Sequence, residues 1–147
     1  EKNIDVVIIN GENSAEGNGV TKESAEYLFS CGADIITGGN HSLRRKEVYE
    51  YLDQNEFILR PHNLPEAEYG RGYCLVDFGK FRLTVINLSG KIYLERVGAE
   101  NPFICADELL KKAEEEFEEE FNDAAFEDFD EEELNGVRRR SYLRRFD

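Results

Sequence analysis

Two short apolar runs constrain this chain more than any other feature. Residues 4–9 read IDVVII and lead into NGEN (residues 10–13); residues 33–37 read ADIIT and lead into GGNH (residues 38–41). Continuous apolar runs of this length suit strands covered on both faces, as in a parallel sheet. Between them lies the glycine-rich loop GENSAEGNGV, followed by Thr21 as an expected helix N-cap with Glu23 and Ser24 in the first turn. Ala25, Leu28 and Phe29 then recur at helical spacing, and the helix is expected to stop near Gly32. Strand, helix, strand predicts a parallel βαβ unit with a right-handed crossover.

The pattern continues with an expected second helix over Leu43–Asp53, with Val48, Tyr51 and Leu52 on its apolar face, and a short strand over Phe57–Leu59 ended by Pro61. Residues 72–78 and 81–88 flank Gly79-Lys80 and predict a β-hairpin. Pro102 suits the first turn of a helix running through FICADELLKKAEEEFEEEF. The fold class expected is therefore α/β, with parallel βαβ units and a hairpin.

Charge divides the chain. Of a net −14, residues 114–147 hold 14 acidic residues against 5 arginines, which leaves the first 113 only mildly acidic. Residues 1–113 are long enough for one domain with a core. Residues 114–147 form an acidic, then arginine-rich tail, expected to be helical or disordered because like charges repel at four-residue spacing. The negative balance argues against a large nucleic acid as partner, since phosphate contacts need Lys and Arg. No run approaches the roughly 18 apolar residues of a membrane span. Cys31, Cys74 and Cys105 form no CxxC pair, which suits buried thiols in a reducing, cytoplasmic setting. The first residue is Glu1, as expected of a processed chain or a fragment of a longer one.

In open parallel sheets, ligands bind beyond the carboxyl ends of the strands. Both polar clusters stand there. Glu12 offers a carboxylate able to bridge two cations, Asn13 and Asn40 offer amide oxygens, and His41 offers an imidazole for ligation or proton transfer. Taken singly, each has a plainer reading, since Asn-Gly is a common turn and loop carboxylates are usually solvated. Two such clusters at matching strand ends about 27 residues apart weigh more. His62, between Pro61 and Asn63, reads as an exposed loop histidine before it reads as a ligand, and Arg71 as a surface arginine before a phosphate contact.

These residues also carry a resemblance. IINGEN, GNGVT, GADIITGGNHSLRRKEVYEYLD, RPHNLPE, GRGYCLVDFG, VINLSGKIYL and NPFICADELL resemble the YmdB-like family of calcineurin-like metallophosphoesterases, over about residues 1–116. The resemblance implies αββα layers and a site with two divalent metal ions (Mn or Fe) that hydrolyses phosphodiesters, with cyclic nucleotides as the substrate class. By position it implies Glu12 as the metal-bridging carboxylate, Asn13 and Asn40 as metal ligands, and His41 as the proton donor to the leaving oxygen.

The sequence departs from the family pattern in several places. It lacks the family's opening strand ending in GD and the later motifs resembling DFHAE and GTHTH. Ser42, Leu43 and Arg44 stand where the family often has an aromatic residue and an acid, and His62 where it has a small residue. The expectation is a metal-dependent phosphodiester hydrolase that is incomplete or inactive as this chain alone, with weak or partial metal binding, and with a complementing segment or a second copy as partner. The alternative is a non-catalytic interaction module that presents the acidic-aromatic tail to a basic partner.

Overall fold

The computed structural model describes residues 3–65, 68–92 and 98–124. Its elements are β1 (Ile8–Asn10), α1 (Lys22–Ser30), β2 (Ile35–Thr37), a 3-10 turn (Lys46–Val48) running into α2 (Tyr49–Gln54), β3 (Ile58–Leu59), β4 (Tyr73–Asp77), β5 (Arg82–Ile86) and α3 (Pro102–Ala124). β1, β2 and β3 form a parallel sheet in that order, and β4 and β5 form an antiparallel hairpin. The α/β class and the parallel crossover follow as the sequence predicts.

Strand alternation builds two cores from one sheet. Ile36 and Ile58 join Val20, Ala25, Ala33, Val48 and Leu52 on the helical side, with Leu28 and Phe29 of α1 packed against them. Ile35 and Leu59 point the other way and meet Cys74, Val76 and Val85 of the hairpin. β2 is therefore covered on both faces, which is why its run is continuously apolar. The run at residues 4–9 differs from expectation. Only Ile8–Asn10 is strand, and Ile4 and Ile8 are 68% and 46% exposed. Ile8 pairs with Ile35 and shares its face, but the apolar cluster of the hairpin is centred on Ile35 and Leu59, in β2 and β3. The start of the run is held instead by the Asp34 carboxylate, which accepts from the Val7 N–H at 2.7 Å.

Local signals set the ends of α1. Thr21 accepts from the Ser24 N–H, and the Ser24 hydroxyl accepts from the Thr21 N–H, a reciprocal cap of the kind that stabilises a helix by about 1 kcal/mol. The helix ends at Ser30 with Cys31 as C-cap, and Cys31 is exposed, against the expectation that all three cysteines are buried. Its place just past the last turn puts it outside the apolar face. Cys74 and Cys105 are buried, and burial pushes the Cys74 thiol up to about 11.

The second helix is shorter than expected. Arg45 is extended (φ −108°, ψ 110°), and the helical backbone begins at Lys46. Arg45 reaches back to the first loop, donating from Nε to the Asn18 carbonyl at 3.0 Å and from Nη2 to the Ala15 carbonyl at 3.2 Å. Loop anchoring takes precedence over helix propensity in residues 43–45. The hairpin closes with the Phe78 N–H on the Phe81 carbonyl at 3.0 Å and with the two rings stacked at 5.1 Å. α3 lies along β5, with Cys105, Leu109 and Ala113 buried at four-residue spacing. It runs across position 114 without a break, and residues 125–147 of the tail lie outside the described residues. No described helix is long and apolar enough to cross a membrane.

Candidate functional site

Parallel pairing of Asn10 with Thr37 brings the two polar loops out of the sheet at one edge, and Gly11 extends the pairing by donating to the Thr37 carbonyl at 2.8 Å. Glu12 follows directly. Its own N–H is taken by the Asn10 side-chain oxygen at 3.0 Å, which closes a tight turn and directs the carboxylate toward the second loop. There the His41 N–H donates to Glu12 Oε1 at 3.3 Å. The imidazole Nδ1 lies 3.4 Å from Asn13 Oδ1 and 3.7 Å from Glu12 Oε1. Two acceptors facing Nδ1 favour the tautomer with the proton there, which leaves Nε2 as the working nitrogen. The side chains of Glu12 and His41 are 20% and 27% exposed, so the pair is sheltered yet reachable.

The glycines around this pair are there for space. A Cβ on Gly39 would fall inside the Glu12 carboxylate, so the carboxylate rests directly on the Gly39 backbone. Gly19 has φ +83°, and a Cβ there would come within 2.8 Å of the His41 carbonyl. The second loop is fixed further by Ser42, which is 3% exposed and whose hydroxyl donates to the Gly39 carbonyl at 2.8 Å.

Glu12, Asn13 and His41 thus meet, and Asn40 sits half-buried between Gly39 and His41 in the same loop. Two candidates lie elsewhere. The Arg71 guanidinium pairs with Glu56 at 3.5 Å on the surface. His62 is half-buried rather than exposed, packed on Gly72 with its ring edge toward Tyr73, and burial together with Arg60 and Lys112 holds its pKa below the usual histidine value. The sequence assigns Asn10 and Ser42 no role, and Gly39 only that of one of the glycines that let the backbone come close. Asn10 and Gly39 lay inside the motifs, but only the pairing of the loops reveals what they do.

One carboxylate, one imidazole and two amide oxygens suit part of the shell of a hard or borderline divalent cation. They fall short of a full shell for one cation and further short for two. Among the described residues no three His, Cys, Asp or Glu side chains are placed to hold a metal.

Residues 1–134 match the family described as YmdB-like protein. The chain belongs to the YmdB-like family. It is 42% identical over 106 residues to the 2',3'-cyclic-nucleotide 2'-phosphodiesterase of Bacillus subtilis (strain 168), a match covering 72% of this chain and 39% of that protein. It superposes with a TM-score of 0.67 on a hypothetical protein from Thermus thermophilus, at 35% identity over 74% of this chain and 42% of that one. A novel phosphatase of Mycoplasma pneumoniae gives the same TM-score at 30% identity, with 74% and 40% covered. This YmdB-like chain therefore spans about two fifths of the length of each of these relatives.

Proposed function

We propose that this chain carries part of the active site of a metal-dependent phosphodiesterase acting on a cyclic nucleotide or another small phosphodiester, within αββα layers of which the parallel sheet and the hairpin are a portion. One observation carries the reading: strand pairing brings the Glu12 carboxylate to the His41 backbone and sets the imidazole against Asn13. Family membership and the named activity of the Bacillus relative support the substrate class.

In this reading Glu12, Asn13 and Asn40 would hold the metal, Mn or Fe. A bound divalent cation supplies Lewis-acid polarisation of a phosphoryl oxygen and neutralises its charge. The chain's own contribution is orientation and proton transfer. Asn13 and Glu12 fix the imidazole through Nδ1, and Nε2 of the protonated ring donates to the departing alkoxide, general-acid work of the kind imidazole most often does. The ligands gathered among the described residues are too few for two cations, and in this reading a further segment or a second copy completes the site. The setting proposed is the cytoplasm.

The test is Mn²⁺ titration of the full chain followed by NMR. Weak binding should broaden the amides of Glu12, Asn13, Asn40 and His41, and Glu12→Ala should abolish it, because that carboxylate is the only formal negative charge among the four. Hydrolysis of a chromogenic phosphodiester by the chain alone should be slight. Broadening centred elsewhere and unchanged by Glu12→Ala, or robust turnover surviving both Glu12→Ala and His41→Ala, would overturn the proposal. A partner bound through residues 114–147 with no metal effect would favour the interaction module instead.

A further inference from the structure

Asn87 lies one residue past β5, 49 residues from Gly38 in sequence, and its side chain reaches across to the parallel sheet. Its amide nitrogen donates to the Leu59 carbonyl at 2.7 Å and to the Gly38 carbonyl at 3.0 Å, which uses both of its hydrogens. Leu59 is the last residue of β3, and its carbonyl also accepts from the Gly38 N–H at 2.7 Å. The backbone of Asn87 is committed as well, its N–H donating to the Gly72 carbonyl at 2.9 Å and its carbonyl accepting from the His62 N–H at 2.8 Å. One residue thus ties together the ends of β3 and β5, the residue that opens the Gly38–Ser42 loop, and the segments just before β4 and just after β3.

We infer that Asn87 is a positioning residue for the candidate site, setting the height and direction of the Gly38–His41 loop so that the His41 N–H meets Glu12; the inference deepens the proposed phosphodiesterase reading and rests on it for its functional meaning. Besides the Gly38 N–H on the Leu59 carbonyl, three side-chain contacts among the described residues hold the loop. Glu12 takes the His41 N–H, Ser42 holds the Gly39 carbonyl from within the loop, and Asn87 holds the Gly38 carbonyl from the hairpin. Only the last refers the loop to the second layer of the fold. Removing it takes the side-chain donor from the buried Leu59 carbonyl and the half-buried Gly38 carbonyl and leaves the Gly38-Gly39 turn with its backbone hold on Leu59 and the Ser42 contact. Supporting hydrogen bonds of this kind commonly change metal affinity by about 10- to 100-fold when lost.

Amide hydrogen exchange of the full chain, without metal, tests this directly. Asn87→Asp keeps size and removes both donors; Asn87→Ser keeps one donor on a shorter arm. Val85→Ala is the control, a buried deletion in β5, the strand that leads into Asn87, which weakens the hairpin through packing alone. The expected result is exchange at the His41 amide accelerated roughly tenfold by Asn87→Asp and by a smaller factor by Asn87→Ser, with Ile36 and Ile58 changed far less. Val85→Ala should raise exchange without singling out His41. The inference is overturned if His41 changes no more than Ile36 in either Asn87 variant, or if Val85→Ala reproduces the local effect. Should Asn87→Asp fail to fold, Asn87→Ser decides alone. Mn²⁺ affinity is the second readout, expected to fall about tenfold in Asn87→Ser. If the wild-type chain binds no Mn²⁺, the phosphodiesterase reading fails, while the exchange result still decides whether Asn87 positions the loop.

Discussion

β1 and β2 read Ile-Ile-Asn and Ile-Ile-Thr, pair residue for residue, and end in loops of the same glycine-rich, polar kind. Yet Ile35 is 1% exposed while its neighbour Ile8 is 46% exposed. The difference is position. β2 is the central strand, flanked on both edges and covered by α1 and α2 on one face and by the hairpin on the other. Among the described residues β1 is an edge strand with a helical layer on one side. The two loops share the site unequally in consequence. The loop after β2 supplies the floor, the Gly39 backbone held by Ser42, and Asn87 holds that loop's start at Gly38; the loop after β1 supplies the charged group, Glu12, that rests on it.

The comparison breaks most sharply under truncation. Ile35→Ala removes a fully buried side chain between two layers and should cost about 2–5 kcal/mol, read by urea or thermal unfolding. Ile8→Ala on the same face, one strand away, should cost less than about 1 kcal/mol, because its side chain is already half in water. Equal losses would mean that β1 is covered as fully as β2.

A smaller effect on stability but a large one on the site is expected from Gly39→Ala. The new methyl group meets the far end of the Glu12 side chain, which can swing away, so stability should change by about 1 kcal/mol or less. The contact from the His41 N–H to Glu12 should be lost, visible as a shift of the His41 amide resonance. Gly90→Ala, where a Cβ meets nothing within 4 Å, serves as control and should leave that resonance in place. An unmoved His41 amide in Gly39→Ala would show that the Gly39 backbone is not the floor on which Glu12 rests.

The smallest effect concerns acid. His62 has its pKa lowered first by burial and then by the Arg60 and Lys112 charges. A histidine depressed in the folded state gives stability that is present above its unfolded value of about 6.5 and lost as pH falls toward the folded value. His62→Gln should remove that loss, so the variant and the wild type should converge or cross as pH drops from about 7 to about 5. A parallel pH course for the two, measured by thermal unfolding, would show that His62 takes no part in it.

Much of this was legible in the chain. The order of strands and helices, the Thr21 cap, the turn at Gly79-Lys80 and the two polar clusters at strand ends are properties of stretches a few residues long, set by side-chain period and by local hydrogen bonds. The family resemblance was legible for the same reason, since its motifs lie within such stretches. Tertiary structure decided what depends on distant groups. It left Ile8 half in water and Cys31 at the surface, drew residues 43–45 out of the helix to anchor a loop through Arg45, and half-buried His62 against Gly72. Above all it placed the Asn87 amide on the Gly38 and Leu59 carbonyls, 49 and 28 residues away. An asparagine after a strand reads as a turn residue in any sequence; only the packing of hairpin on sheet puts two carbonyls of the sheet's end within reach of its two N–H donors.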